Sequence, residues 1–139
     1  MISKLYDINK YKDKINIFLL YGDNEGQKIE VIKTNFGRFT KENTHKYYEK
    51  DILLDKQSFF ENILSKSFFE KEKLILISDV TDKLLKLIEE TLETGLEDVK
   101  IILIAKKLDK KSKLRVFFEK EKSVLIIPFY EDTPQNLTT

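Results

Sequence analysis

The chain alternates between short, nearly continuous apolar runs and longer stretches in which apolar residues recur every three or four positions. Near-continuous apolar runs of this kind are typical of parallel strands that are buried on both faces. Five such runs predict strands, and the second is the weakest because it is the most polar. The five runs cover residues 15–21, 45–49, 74–77, 99–105 and 124–127.

Helical spacing fills the segments that lie between these runs. Asn24 is placed to cap the helix that follows the first strand, with Gln27 three residues later in the pattern of a capping box. Gly95 is placed to end the helix that precedes the fourth strand. The apolar face expected for the first of these two helices consists of Ile29, Ile32, Phe36 and Phe39. The segments with helical spacing are 4–12, 24–39, 58–64, 81–94 and 112–119.

The regular alternation of strand and helix predicts the fold class. It indicates an α/β three-layer sandwich, in which helices cover both faces of a five-stranded, mostly parallel sheet. The 139 residues are enough for one domain with a substantial core. We expect that domain over residues 1–130, and we expect the polar, aperiodic residues 131–139 to begin a connection to a second domain that is missing here.

Composition narrows the classes of function. The 25 Lys and Arg residues balance the 24 Asp and Glu residues, which argues against a polybasic nucleic-acid binder. The absence of Cys excludes a disulfide scaffold, a zinc ribbon and thiol catalysis. A single histidine, His45, argues against a metal site, and we interpret it as a half-exposed strand-edge residue. Because no apolar run is long enough to span a bilayer, the sequence favours a soluble cytoplasmic protein.

The turn over residues 21–28 follows the first strand, where α/β proteins often bind phosphate. A phosphate-binding P-loop has the pattern G-x-x-x-x-G-K-[ST], in which the hydroxyl residue binds Mg²⁺. Here Gly22 and Gly26 stand one residue too close together, and Ile29 occupies the position of the hydroxyl residue. Two acids in the turn would also repel a triphosphate. We therefore interpret this segment as a tight strand-to-helix turn and expect no cofactor in it.

Asp79 follows the third strand and has three interpretations. It resembles the magnesium-binding acid of a nucleotide hydrolase, but no second acid stands beside it. As the phosphate acceptor of a receiver domain it would need a hydroxyl after the fourth strand and a lysine after the fifth, where Ala105 and Pro128 stand. An Asp after a strand is also common as a turn or helix-cap residue, and this is the interpretation that we favour.

The most basic stretch follows the fourth strand. It would suit contact with the phosphates of a nucleic acid. The alternative is a solvated loop and helix start, which is favoured because no aromatic residues are interleaved. The basic residues are Lys106, Lys107, Lys110, Lys111, Lys113 and Arg115.

An apolar pair stands in the otherwise polar segment 65–73. Phe68 and Phe69 are adjacent, so they cannot both face the buried side of one helix. They are either core residues or a protruding aromatic anchor for a pocket on a partner protein. The residues alone leave both interpretations open.

Three blocks of sequence, taken in order, resemble the N-terminal domain of the delta subunit of bacterial DNA polymerase III, which is a clamp-loader subunit. The first block is I-F-L-L-Y-G-D at 17–23, and the second is S-K-S-F-F at 65–69, ahead of the strand at 74–77. The third is K-L-D-K-K-S-K-L at 107–114, which is the most specific of the three. The resemblance runs from about Leu5 to Pro128.

The resemblance implies an AAA+-like domain with a degenerate phosphate loop, in a subunit of the polymerase III holoenzyme that does not hydrolyse ATP. It also implies that Ser67, Phe68 and Phe69 insert into a pocket of the sliding clamp and help to open the ring during DNA replication. Phe68 departs from the family, which often has Leu at that position. The implied partners are the sliding clamp, other clamp-loader subunits through missing domains, and DNA. The residues available for contact with DNA or a neighbouring subunit are Lys106, Lys107, Lys110, Lys111 and Lys113.

Two rival functions stay open at this point. The first is an active P-loop-type NTPase or nucleotide kinase, which Lys28 supports and the missing Gly-Lys-Ser/Thr run opposes. The second is a stand-alone regulatory decoy, which would bind the clamp without loading it. For the leading interpretation we expect no catalytic residue, cofactor or metal in this domain, and no membrane contact.

Overall fold

A computed structural model of the chain describes residues 1–2, 8–39, 41–64, 72–95 and 98–129. The strands are β1 (Ile17–Tyr21), β2 (Thr44–Tyr48), β3 (Lys73–Ser78), β4 (Val99–Ile104) and β5 (Val124–Pro128). They form one sheet in the order β2-β3-β4-β1-β5. Every pairing is parallel, so the predicted five-stranded sheet is confirmed. We call the side where the strands begin the amino end of the sheet and the opposite side the carboxyl end.

Helices connect the strands, as the spacing of apolar residues predicts. A 3₁₀ turn over Asp82–Leu84 leads directly into the fifth helix, and Gly95 ends that helix with φ of 82°. The helices are α1 (Ile8–Tyr11), α2 (Glu25–Phe36), α3 (Glu49–Leu54), α4 (Lys56–Leu64), α5 (Leu85–Thr94) and α6 (Lys113–Lys120).

Alternate residues of a strand point to opposite sides of the sheet. Both sides are buried here, because helices cover each of them. In β1, Ile17 and Leu19 join a core that includes buried residues of α3 to α6. Phe18 and Leu20 join a second core, which includes buried residues of α1 and α2. The two cores make the molecule three layers deep, as the sequence predicts.

Helix α2 begins where its cap predicts, but its buried face differs from the expectation. The Asn24 side chain accepts a hydrogen bond from the Gln27 N–H. Ile29, which we expected on the apolar face, is 52% exposed, and Val31 is buried instead. The buried face of the helix also includes Lys28 and Asn35, which an apolar pattern does not reveal.

Three further segments compare as follows with the sequence-based expectations. Helix α3 is missing from those expectations, because its six residues directly follow β2 and are too few to show a period. His45 lies half-buried in β2, the edge strand of the sheet, as predicted. The helix expected over 4–12 is seen at Ile8–Tyr11, and residues 3–7 lie outside the described residues.

Candidate functional site

The turn after β1 is filled by the chain's own backbone. Gly22 has φ of 121°, and a Cβ on it would lie 1.8 Å from the carbonyl oxygen of Phe129. The Phe129 N–H donates to the carbonyl of Tyr21 at 2.6 Å, and the Asn24 N–H donates to the carbonyl of Phe129 at 3.2 Å. The residue that follows β5 therefore packs directly against this turn, and only glycine leaves room for it.

Most main-chain N–H groups of the turn already have partners within the protein. A phosphate-binding loop works because such groups face the ligand. Here the Gly22 N–H donates to the carbonyl of Lys106, and the Asn24 N–H to that of Phe129. The Gln27 N–H donates to the Asn24 side chain at 3.1 Å, and the Lys28 N–H to the Asn24 carbonyl at 3.2 Å. The turn lies where a phosphate loop lies in such folds, but these four N–H donors already bind oxygen atoms of the protein.

Lys28, the best support for a nucleotide-binding function, points into the protein. It is only 1% exposed. Its Nζ donates to the carbonyl of Ala105 at 2.7 Å and to the Glu25 carboxylate at 2.8 Å. Because a buried ammonium needs such partners, Lys28 is held at the carboxyl end of β4 by contacts within the protein.

The loop after β3 is held by an acid that the sequence does not single out. Buried Glu49, at the start of α3, accepts hydrogen bonds from the N–H and the hydroxyl of Thr81, both at 2.8 Å. Thr81 in turn accepts from the Lys83 N–H and caps the 3₁₀ turn. Asp79 is an exposed turn residue with φ of 57°. The cap that we favoured for Asp79 therefore belongs to Thr81, and Asp79 has the turn role.

The basic block at 107–114 divides into structural and exposed residues. The Asp109 side chain accepts from the Lys111 N–H at 2.8 Å, and this contact shapes the loop. Ser112 caps α6 by accepting from the Arg115 N–H, and Leu114 is fully buried. The lysines of the loop are all exposed, as expected: Lys106, Lys107, Lys110, Lys111 and Lys113.

Arg115 differs from these lysines, although it stands in the same basic stretch. Its guanidinium lies over the ring of Tyr21, 5.1 Å from the ring centroid, and donates to the carbonyl of Leu108 at 2.9 Å. It is half-buried and holds the loop against the end of β1. Its role is structural, which spacing alone does not indicate.

Asp82 ties the loop after β3 to the loop after β4. Its carboxylate accepts hydrogen bonds from the Ser112 hydroxyl and from the N–H groups of Lys113 and Leu114 at the start of α6. Partial burial by itself raises the pKa of this carboxyl, but the Ser112 hydrogen bond and the two N–H donors outweigh it and hold the pKa below its ordinary value. The Asp82 carboxylate therefore already occupies the N-terminus of α6, where an anion would otherwise bind.

An open groove lies between these two loops at the carboxyl end of the sheet. Its volume is about 530 Å³. One wall is formed by residues 80–83 and the other by residues from 107 to 112. Lys107 contributes a largely exposed side chain and makes a long ion pair with Asp23, with 3.7 Å between Nζ and the carboxylate. The groove is thus bordered by basic side chains, while its two acids, Asp82 and Asp109, accept hydrogen bonds from the protein itself.

The residues expected to bind the sliding clamp, Ser67, Phe68 and Phe69, lie outside the described residues. The elements on either side of them, α4 and β3, are described and meet at the amino end of the sheet. The end of α4 and the start of β3 therefore lie at the end of the sheet opposite to the basic loop. Within the described ranges, no group of three or more His, Cys, Asp or Glu residues is arranged to hold a metal ion. Nor is any helix among them both long and apolar enough to cross a membrane.

Comparison with known proteins finds one matching family and a similar solved structure. The profile of the family described as DNA polymerase III, delta subunit, matches residues 18–127. Among solved structures, the chain is similar to the Bacillus subtilis DNA clamp loader delta protein (YqeN), with a TM-score of 0.70 and 15% sequence identity. That similarity covers 96% of this chain and 44% of the other, so the chain spans less than half the length of that protein. No curated protein sequence matches the chain.

The two comparisons agree with the fold and the order of its elements. The similarity to the solved delta protein confirms the predicted AAA+-like α/β fold with its five-stranded parallel sheet. The family match begins in β1 and ends in β5, so it includes the whole sheet except its first and last residues. Because that match covers well over half of the sequence, the chain belongs to the DNA polymerase III delta subunit family.

Proposed function

We propose that this chain is a clamp-loader domain that acts in DNA replication by binding the sliding clamp and helping to open it. The observation that carries the proposal is the match of the delta subunit family over residues 18–127. In this proposal the domain extends over residues 1–130 and works in the cytoplasm within the polymerase III holoenzyme. It meets the other loader subunits through further domains.

Clamp binding is assigned to Ser67, Phe68 and Phe69. The assignment is supported by their order in the chain, between α4 and β3, which is where the family's clamp-binding motif falls. It is also supported by chemistry, because removal of one aromatic side chain from water contributes about 1.5–3 kcal/mol. Two such side chains would supply the centre of a modest interface, with polar neighbours forming its rim.

A double substitution tests this assignment. Phe68→Ala with Phe69→Ala should weaken binding to the immobilised sliding clamp of the same organism by about 100-fold or more, as measured by surface plasmon resonance. Circular dichroism should show an intact fold. Leu54→Ala is the matched control, because Leu54 is an apolar residue that is 84% exposed on the neighbouring helix α3. It should leave the affinity unchanged.

Two results would contradict the assignment of the pair. If the double variant unfolds, the two phenylalanines belong to the core. If it folds and binds the clamp with the affinity of the original chain, the clamp contact lies elsewhere.

We also propose that the domain neither binds nor hydrolyses ATP. The supporting geometry is the occupied N–H groups of the turn, the burial of Lys28 and the packing of Phe129 against Gly22. Isothermal titration calorimetry with Mg-ATP should give no saturable heat at micromolar protein concentration. Saturable binding that disappears in a folded Lys28→Met variant would instead support the NTPase interpretation.

The basic loop is the proposed site of contact with DNA. The supporting observation is that its lysines, 106, 107, 110, 111 and 113, are exposed together at the carboxyl end of the sheet. Neutralising phosphates releases counterions, so such contact should weaken steeply with salt. A contact with a neighbouring loader subunit is the competing outcome.

A charge-matched comparison separates these outcomes. Changing Lys107, Lys110 and Lys111 to Gln should weaken binding to a primed DNA duplex and should lower the salt slope, in fluorescence anisotropy at several salt concentrations. The control removes the same charge from exposed lysines elsewhere: Lys33, Lys50 and Lys86. Equal loss in both triple variants would indicate a general charge effect, and no loss in the loop variant would assign the loop to another role.

A further inference from the structure

Two buried lysines lie at the amino end of the sheet, on neighbouring strands and on opposite faces. Lys73 in β3 is 8% exposed and Lys100 in β4 is 6% exposed. Each donates from Nζ to a main-chain carbonyl at 2.7 Å, Lys73 to Asn62 and Lys100 to Ile15. A buried ammonium is costly unless it is paired in this way, so each contact constrains the chain that it reaches. Lys73 constrains the end of α4, and Lys100 constrains the segment just before β1.

Lys73 holds the end of α4. The last four carbonyls of a helix have no partner within the helix, and that of Asn62 is one of these in α4. A cation also stabilises the C-terminus of a helix, but α4 has no basic residue in its own last turn. Lys73 therefore supplies, from the next strand, the donor and the charge that α4 lacks.

Lys73 is itself fixed by the sheet. It is the first residue of β3, where it is paired in register with Val99 of β4. Its N–H donates to the carbonyl of Asp98 at 2.8 Å. Immediately before it, Glu72 accepts from the Arg38 guanidinium at 3.2 Å. The Lys73 side chain thus fixes the end of α4 relative to the central sheet. It links the end of α4 to the start of β3, and residues 65–71 lie between these two elements in the sequence.

We propose that Lys73 is a positioning residue for clamp binding, because it holds together the end of α4 and the start of β3 on either side of Ser67, Phe68 and Phe69. The proposal rests on the proposed function of those three residues. A binding segment whose ends are held in place loses less conformational freedom when it docks, so the same contacts give a higher affinity. Lys73 acts through this restraint and needs no contact with the clamp.

Lys73→Met tests the proposal in the 139-residue chain, since methionine keeps much of the side-chain volume and removes the donor. The dissociation constant for the sliding clamp should rise about three- to tenfold. Hydrogen exchange at the end of α4 should become faster. Lys100→Met is the matched control, because it removes an equally buried ammonium with an equally short carbonyl contact. It should leave both the clamp affinity and the exchange at α4 unchanged.

A double-mutant cycle separates this inference from the proposed function. In the background of Phe68→Ala with Phe69→Ala, Lys73→Met should cause no further loss of residual binding. The positioning role is wrong, and the clamp site stands, if the double Phe variant loses binding while Lys73→Met binds normally. The same conclusion follows if Lys73→Met and Lys100→Met lose affinity equally. If the double Phe variant binds normally, the proposed clamp site is wrong, and the role of Lys73 in binding falls with it.

Discussion

The two ends of the parallel sheet use the same kinds of groups for different purposes. At the carboxyl end, the N–H groups of the turn after β1 and the ammonium of Lys28 bind carbonyl and side-chain oxygens of the protein itself. At the amino end, Lys73 binds a carbonyl in the last turn of α4, and Lys100 binds the carbonyl of Ile15 just before β1. Ligands of open α/β sheets usually bind at the carboxyl end. In this chain several of the groups that would bind phosphate there are used to hold the fold, while the amino end is where α4 ends and β3 begins.

The comparison shows how the turn of a phosphate-binding fold can be closed by contacts within the protein. The backbone of Phe129 packs directly against Gly22 in the turn. The same contact ties the exit of β5 to β1 without help from a nucleotide. The following predictions test this difference between the two ends, beginning with the largest expected effect.

Gly22→Ala should be the most damaging single substitution at the carboxyl end. The added Cβ would overlap the Phe129 carbonyl, at 1.8 Å, and the φ of 121° is strained for any residue with a Cβ. We expect a loss of at least about 3 kcal/mol in the free energy of unfolding, or failure to fold. Urea denaturation followed by circular dichroism measures this loss.

Gly26→Ala is the control for that substitution. Gly26 lies in the first turn of α2, and the nearest atom to an added Cβ is the Asn24 side-chain oxygen at 3.8 Å. Alanine favours helix over glycine, so this variant should be unchanged or more stable, by up to about 1 kcal/mol. Equal damage in the two variants would show that the packing of Phe129 on Gly22 is not what the turn requires.

Lys28→Met should destabilise the chain by about 1–3 kcal/mol. The substitution removes both hydrogen bonds of the buried ammonium and leaves the Ala105 carbonyl without this donor. Lys107→Met at the same end is the comparison, because its side chain is 80% exposed and its ion pair with Asp23 is long. That variant should change the free energy of unfolding by less than about 0.5 kcal/mol. A similar loss in both would mean that Lys28 is no more constrained than the loop lysines.

Asp82→Asn should remove a contribution to stability that depends on pH. The pKa of Asp82 is held below the ordinary value of 3.8 in the folded chain, so the folded state binds its proton less readily than the unfolded state does. The contribution is therefore fully present above about pH 5 and is lost as the pH falls through the lowered folded pKa. At pH 7 we expect the variant to be less stable by about 0.5–1 kcal/mol, the scale of a charge at a helix N-terminus.

Urea denaturation at several pH values checks this prediction. The difference between the original chain and Asp82→Asn should be constant from pH 7 to pH 5 and should shrink below about pH 4. A difference that stays the same at low pH would show that the carboxylate charge does not stabilise the start of α6.

Arg38→Gln should have the smallest effect, although it removes two ion pairs at the amino end. Arg38 lies 3.2 Å from the Glu72 carboxylate and 3.7 Å from that of Asp13, and all three side chains are substantially exposed. Exposed pairs of this kind contribute about 0–1 kcal/mol and are screened by salt. Thermal unfolding should show a small loss that disappears at about 1 M NaCl. A larger, salt-independent loss would make Arg38, together with Lys73, part of the anchor of β3.

The periodic parts of the fold could be predicted because their information is local. Buried strands require continuous apolar runs, and Asn24 caps α2 through a contact with a residue three positions away. The absence of a phosphate-binding pattern in the turn was also visible, since that pattern is a short stretch of neighbouring residues. What could not be predicted is which polar residues are structural: Glu49 and Asp82 look like any other acids until the loops that they join are brought together.

The sequence by itself therefore determined the α/β class, the order of the strands and of every helix except α3, the departure of the first turn from the P-loop pattern, and the family. The tertiary structure decided which lysines are buried and which are exposed. Lys28, Lys73 and Lys100 are buried while the lysines of the basic loop are exposed, and no spacing of residues distinguishes the two groups. The physical reason is that a lysine can be buried only where a suitable acceptor is placed. The acceptors of Lys28 and Lys100 are carbonyls 77 and 85 residues away, which only the folded sheet brings within reach.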